Sequence, residues 1–195
     1  METDAPVQIL ALAGSYRTHS FNQALLRAVK ELSPDNVEIV EFDLRTVPHY
    51  DGDLEDAGDP TEVQNLKRAV ESADAVLLVT PEYNSGAPGV LKNGIDWASR
   101  VYPNAPLGDK SVAMIGASPG RSGTKYAQGQ LRDNLSRAGA VLIEGVELML
   151  ARAGEAIVDG KVVSDDVRAQ ISATLETIVQ SVAMSRAEGS GSDAE

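Results

Sequence analysis

Two polar stretches of this chain have the residue types that bind a phosphate and a planar ligand. The first, G-S-Y-R-T-H-S-F-N at 14–22, offers hydroxyl groups, the Arg17 guanidinium and a terminal amide. Such groups are typical of a phosphate site, especially where a helix begins and points free backbone N–H groups at the same place. Arg17 is unusual in a chain whose net charge is −12. The alternative is that these residues only cap the helix.

The second stretch is P-E-Y-N-S-G at 81–86, which contains an acid, an aromatic ring and an amide in succession. Tyr83 can lie along a planar heteroaromatic ring while backbone amides of 82–84 meet the polar edge of that ring. The alternative is a turn that places Tyr83 in the core. A third stretch, S-P-G-R-S at 118–122, is also polar and contains glycine.

Each of these stretches follows a short apolar run that predicts a buried strand. The hydrophobic pattern predicts strands at 7–13, 37–42, 75–79, 111–117 and 141–150, the last kinked at Gly145, and helices at 20–32, 60–73, 88–99, 123–138 and 165–185. Five alternating strands and helices indicate an α/β three-layer sandwich with a five-stranded parallel sheet.

The strand order follows from the first loop, which has only Gly14 and lacks the glycine-rich dinucleotide fingerprint. We therefore expect the flavodoxin-like order 2-1-3-4-5, in which strands one, three and four are neighbours. In that order the three polar stretches converge on one crevice.

Two further segments have predicted structures. The long acidic stretch 43–59 is expected to form a loop that lines a cleft or contacts a subunit. Asp159-Gly160 predicts a turn or small hairpin.

Length and composition limit the possible functions. The chain has 195 residues, enough for one domain, which we place at 1–186, followed by a disordered acidic tail at 187–195. Its negative charge opposes binding to nucleic acid or anionic membranes. The absence of cysteine excludes disulfides and thiolate chemistry. No stretch has the ~20 apolar residues of a membrane span, and the acidic start is unlike a signal peptide, so we expect a cytoplasmic protein.

Together, the stretch at 14–22 and P-E-Y-N-S-G-A-P-G-V-L-K-N-G-I-D-W at 81–97 resemble the NAD(P)H-dependent FMN reductase family, including its quinone- and chromate-reducing members. The resemblance covers about 7–180. It implies a flavodoxin-like fold, non-covalent FMN, NADPH or NADH as co-substrate and a quinone or similar small acceptor. It also implies a homodimer or homotetramer in which a neighbouring subunit helps to close the flavin site.

The resemblance also implies roles for particular residues. The phosphate would be held by Ser15, Arg17, Ser20, Phe21 and Asn22, the isoalloxazine ring by Pro81, Glu82, Tyr83 and Asn84, and the pyrimidine side would be bordered by Ser118 and Gly120. The third loop departs from the paired glycines frequent in the family. Since the flavin carries the redox chemistry, no side chain is assigned as a catalytic acid or base.

Other functions have weaker support in the residues. Gly116, Ser118 and Gly120 match the G-x-S-x-G pattern of serine hydrolases, but Pro119 has no N–H for an oxyanion hole and both histidines precede the serine. The aspartates at 51–59 are out of register for a calcium loop, and no spacing indicates a metal site. A non-enzymatic electron carrier or redox sensor of the same fold remains the main alternative.

Overall fold

A computed structural model describes residues 5–101, 103–146 and 148–192. Its parallel sheet has the order β2-β1-β3-β4-β5, as predicted. The strands are β1 (Val7–Ala13), β2 (Val37–Phe42), β3 (Ala75–Thr80), β4 (Ser111–Ala117) and β5 (Val141–Leu142), and a short strand β6 (Leu148–Leu150) also pairs with β4.

Helices cover both faces of this sheet because the buried strands alternate their side chains between two cores. The helices are α1 (Phe21–Leu32), α2 (Gly52–Asp56), α3 (Thr61–Ser72), α4 (Gly89–Ala98), α5 (Lys125–Arg137) and α6 (Asp165–Ser192). On β1, Ile9 and Ala11 pack in the core with α1 and α6, whereas Leu10 and Leu12 pack in the core with α3, α4 and α5.

The fifth predicted strand is interrupted. β5 and β6 pair with successive parts of β4, and the chain between them turns at Gly145, whose φ of 82° lies in the left-handed region. Glycine adopts this conformation without a steric penalty, so the predicted kink becomes a break in the strand.

The acidic stretch 43–59 contains more structure than predicted. Leu44–Thr46 forms a 3₁₀ turn and α2 a short helix. Each is capped by an aspartate, since Asp43 accepts a hydrogen bond from the N–H of Arg45 and Asp51 accepts one from Asp53. Aspartate is a favoured N-cap residue, so Asp43 and Asp51 could have indicated these two helical turns from the sequence.

The hairpin and the C-terminus complete the chain. β7 (Ile157–Val158) and β8 (Lys161–Val162) pair antiparallel around Asp159 and Gly160, whose φ values are 48° and 74°.

The backbone is helical to Ser192, beyond the predicted end at 185, so the expected disordered tail is not found over 187–192; 193–195 lie outside the described residues. A helix that has formed extends at little cost per residue. None of the described helices is both long and apolar enough to span a membrane.

Candidate functional site

The carboxyl ends of β1, β3 and β4 lie side by side at one level. Ala13 pairs with Val79, and Thr80 pairs with Gly116. The first loop (14–20), the second loop (81–88) and the third loop (118–124) therefore leave the sheet next to one another. This edge is where open parallel sheets bind their ligands.

A cleft of about 420 Å³ opens between these loops, and we call it the three-loop cleft. This volume is typical of a small-molecule site, for which the range is roughly 300–1,000 Å³. The lining residues are Ser15, Arg17, Ser20, Phe21, Asn22, Pro81, Glu82, Tyr83, Ala117, Ser118 and Pro119. Of the residues predicted from the sequence, Asn84 and Gly120 are not part of this lining.

The first loop ends at Ser20, the N-cap of α1. The Ser20 hydroxyl oxygen accepts hydrogen bonds from the N–H groups of Asn22 (3.2 Å) and Gln23 (3.4 Å). Gln23 in turn donates from its side chain to the carbonyl of Ser15 at 2.9 Å, which fixes the loop on the helix. Ser20 is therefore a capping residue, as the alternative interpretation held.

Arg17 does not take part in this capping. It is exposed at the rim of the three-loop cleft, and within the described part of the chain its guanidinium has neither a hydrogen bond nor an ion pair. A free guanidinium beside a helix N-terminus makes this end of the cleft suitable for a phosphate. The donors present thus fit the phosphate group of FMN.

The side chain of Asn22, a predicted phosphate contact, is hydrogen-bonded within the protein. It is buried, its Nδ2 donates to the carbonyl of Ala117 and its Oδ1 accepts from the N–H of Ala117, both at 2.9 Å. The carboxamide is therefore committed to the end of β4. Asn22 joins the first turn of α1 to the start of the third loop, which the sequence did not reveal.

Tyr16 supports the first loop but was not among the residues predicted from the sequence. Its hydroxyl oxygen accepts a hydrogen bond from the N–H of Leu44 at 2.8 Å, and the Arg45 guanidinium lies 4.6 Å from its ring centre. Burial raises the pKa of Tyr16 to about 12. Arg45 donates to both carboxylate oxygens of Asp43, and this hydrogen bonding lowers the pKa of Asp43. These contacts fasten the first loop to the end of β2.

Gly14 allows the first and second loops to approach each other. A Cβ atom at Gly14 would lie 2.7 Å from side-chain atoms of Pro81 and Pro88 and 2.8 Å from Leu91. Real Cβ contacts are not this short, so only glycine fits between the two loops.

The second loop contains a tight turn that presents Tyr83. The backbone groups of Tyr83 and Gly86 exchange two hydrogen bonds of 3.0 Å, while Asn84 and Ser85 have φ values of 50° and 57°. Tyr83 is 51% exposed, so the alternative that the turn places Tyr83 in the core is wrong. Its N–H is used in the turn. The N–H groups of Glu82 and Asn84 have no acceptor within the part of the chain that the structure describes.

The carboxylate of Glu82 caps α5. Its Oε2 accepts hydrogen bonds from the N–H groups of Tyr126 (2.8 Å) and Ala127 (3.0 Å). Thr124 occupies the N-cap position of this helix but makes no side-chain capping bond. Glu82 borders the three-loop cleft and holds the second loop on α5, so its side chain is a support for the cleft wall.

The third loop is tied to the end of β6 and to the residues that follow it. Ser118 is buried, its N–H donates to Leu150, and its hydroxyl oxygen accepts from the N–H of Gly120 at 3.1 Å. The carbonyl of Gly120 accepts from the N–H of Arg152. In the described contacts Ser118 has no histidine partner, and the hydroxyl stabilises its own turn, which removes the support for a serine hydrolase.

A second cavity, of about 490 Å³, adjoins the three-loop cleft. The two share Arg17, Ser20, Phe21 and Pro119, and the second is completed by His19, Ile157, Asp159 and Gly160. The guanidinium of Arg27 on α1 donates to the carbonyl of Gly160 at 3.0 Å and so holds the β7–β8 hairpin in place. The sequence indicated a turn at 159–160 but did not place it beside the cleft.

Comparison with known proteins matches residues 7–155 to the family model described as NADPH-dependent FMN reductase. An NAD(P)H-dependent FMN reductase of Pseudomonas aeruginosa is 36% identical over 173 residues, which cover 88% of this chain and 93% of that protein. A 2-hydroxy-1,4-benzoquinone reductase of Burkholderia sp is 37% identical over 163 residues, covering 83% and 88%.

Among solved structures, the flavoenzyme NAD(P)H:(acceptor) oxidoreductase FerB from Paracoccus denitrificans superposes with a TM-score of 0.83 at 32% identity. The match covers 91% of this chain and 98% of that one. An oxidoreductase from Corynebacterium diphtheriae superposes with a TM-score of 0.64 at 14% identity, which supports the fold alone.

Proposed function

Because the chain belongs to the NADPH-dependent FMN reductase family, we propose that it binds FMN in the three-loop cleft and transfers electrons from NAD(P)H to a quinone-like acceptor. Relatives named as quinone reductases support this class of acceptor. Chromate reduction, predicted from the family resemblance, stays a prediction.

The observation that carries the proposal is the arrangement of donors in the three-loop cleft. The Arg17 guanidinium, which has no partner among residues 5–101, 103–146 and 148–192, and the N-terminus of α1 lie at one end, and the tight turn carrying Tyr83 lies at the other. A phosphate and a planar ring in one ligand match this arrangement.

The residues of the chain have three tasks in this proposal. Arg17, Ser15 and the first turn of α1, including Phe21, hold the phosphate end. Pro81, Tyr83 and the N–H groups of Glu82 and Asn84 hold the ring, and Ser118 borders its far side. Contacts of the Asn84 side chain and of Gly120, which do not line the cleft, stay predictions. The side chains of Asn22, Ser20 and Glu82 support these contacts through the hydrogen bonds described above.

When bound, FMN supplies the redox chemistry, since it accepts a hydride equivalent from a reduced nicotinamide and passes the electrons on. The protein orients the reactants and provides hydrogen-bond donors toward the ring. We assign no side chain as an acid or base. The co-substrate is NADPH or NADH, and a cytoplasmic location, where both nucleotides are present, is part of our proposal.

The absorption spectrum of the purified protein tests this function. After incubation with FMN and gel filtration, the protein should retain the visible flavin bands, and these should bleach when NADPH or NADH is added without oxygen. Adding 1,4-benzoquinone should restore them. Retained flavin that neither nucleotide bleaches would favour an electron carrier or sensor, because a carrier needs a separate reductase. Failure to retain FMN, with no NADPH oxidation in excess FMN, would contradict the proposal.

A further inference from the structure

The second loop is fastened to α5 at two points. On the incoming side, the Glu82 carboxylate accepts from the first-turn N–H groups of the helix. On the outgoing side, the side-chain Oε1 of Gln130 accepts from the N–H of Ala87 at 2.8 Å, although the two residues are 43 positions apart. Gln130 is four residues beyond Tyr126, so it lies on the same face of α5.

The contact with Gln130 is close and has no substitute in the loop. A Cβ atom at Gly86 would lie 3.0 Å from Oε1 of Gln130, so the carboxamide lies directly against the turn. Ala87 has the last backbone N–H before α4, because Pro88 has none. The bond is exposed, so water can replace Gln130 as the acceptor for the Ala87 N–H, but it cannot replace the link between the loop and α5.

These two contacts orient the turn that carries Tyr83. The bonds between Tyr83 and Gly86 close the turn on itself, but they do not fix its direction relative to the sheet. The contacts with α5 restrain that direction on both arms of the loop, in addition to the joins to β3 and α4. The position of the exposed Tyr83 ring and of the free N–H groups beside it therefore depends on Gln130.

We propose that Gln130 is a positioning residue for the flavin ring, acting through Ala87 on the second loop. This inference rests on the proposed function. Gln130 does not line the three-loop cleft, so it touches neither end of the ligand directly. Its influence is confined to the ring-binding loop, whereas the phosphate end depends on the first loop and α1.

Fluorescence titration with FMN and with riboflavin separates these two ends. Gln130→Leu removes the acceptor and should weaken the binding of both ligands by the same factor, about fivefold for one neutral hydrogen bond. Gln130→Glu keeps an acceptor oxygen and should retain both affinities. Arg17→Ala, by contrast, should weaken the binding of FMN alone. The control is Gln180→Leu, the same change at an exposed position of α6.

The outcomes distinguish this inference from the proposed function. If the wild-type protein binds neither flavin, the proposed function fails. If it binds FMN but Gln130→Leu matches the Gln180→Leu control, or weakens FMN and not riboflavin, the positioning role is wrong. Loss of riboflavin binding by Gln130→Glu would also overturn it. Far-UV circular dichroism and thermal unfolding of each variant show whether the fold is kept.

Discussion

Arg17 is an exposed guanidinium without a protein partner in the described contacts, in a chain of net charge −12. We expect Arg17→Ala to weaken FMN binding by about 1.5 to 3 kcal/mol, the range of a hydrogen bond to a charged group, and to leave riboflavin binding unchanged. Fluorescence titration with the two flavins measures this difference.

Two variants serve as controls for Arg17. Arg17→Lys keeps the positive charge but cannot form the bidentate hydrogen bonds of a guanidinium. Its FMN affinity should therefore lie between those of the wild type and Arg17→Ala. Arg68→Ala removes an exposed arginine on α3 that does not line the three-loop cleft, and the variant should bind FMN normally. Equal FMN affinity of Arg17→Ala and Arg68→Ala would rule out the phosphate contact.

Because of Tyr16, we expect the free energy of unfolding to fall as the pH rises in the alkaline range. Its pKa in the folded state is about 12 because of burial, against an ordinary value of 10. As the pH rises through this interval, the unfolded chain loses its proton first, so the free energy of unfolding falls. Tyr16→Phe should lack this part of the pH dependence while costing about 1 kcal/mol through the lost hydrogen bond from Leu44.

Urea unfolding between pH 8 and pH 11.5 tests the Tyr16 prediction. The matched control is Tyr126→Phe, since Tyr126 is 52% exposed. It should follow the wild-type curve. Parallel curves for wild type and Tyr16→Phe across this range would show that Tyr16 does not titrate as expected.

At the scale of the elements, α5 depends on another part of the chain for its N-cap. Thr124 makes no capping bond, and Glu82 supplies the acceptor for two first-turn N–H groups. Glu82→Ala should lower the free energy of unfolding by about 0.5 to 2 kcal/mol, as other N-cap losses do. It should also weaken flavin binding, because the second loop is released from α5.

Urea denaturation gives this free energy directly, with Glu176→Ala on the exposed face of α6 as the control. Glu82→Gln retains an acceptor oxygen and should recover part of the loss. If Glu82→Ala and Glu176→Ala unfold at the same urea concentration, the cap contributes nothing measurable.

The elements themselves were largely predictable. Apolar runs and helical spacing predicted β1 to β4 and the segment that contains β5 and β6, and the order 2-1-3-4-5 is confirmed. The differences are local: the break at Gly145, the aspartate-capped turns of 43–59 and the longer last helix. Each depends on a backbone conformation or a capping bond of one or two residues, which hydrophobic periodicity does not record.

At the scale of the whole molecule, we predict a homodimer or homotetramer. Tyr83, which lines the three-loop cleft, and Tyr126, whose N–H bonds to Glu82 of that lining, are both more than half exposed. If a second copy covers these two side chains, flavin retention should fall when the protein is diluted.

Sedimentation velocity over a hundredfold range of protein concentration, with FMN absorbance followed separately, measures both quantities. We expect FMN to sediment with the oligomer and to be released as it dissociates. A monomer that retains FMN at every concentration would contradict the interfacial site.

By itself, the sequence determined the sheet, its strand order, the three loops and their family resemblance, because these follow from local patterns of apolar, polar and glycine residues. Only the tertiary structure decided what each side chain does. Asn22 and Glu82 are polar residues of the predicted site, yet they bond to Ala117 and to α5, and Tyr16 and Gln130 support the loops from outside the predicted set. The partners of Asn22, Glu82 and Gln130 are 43 to 95 positions away, and Leu44 is 28 positions from Tyr16. The folded sheet brings such pairs together, and no spacing along the chain encodes them.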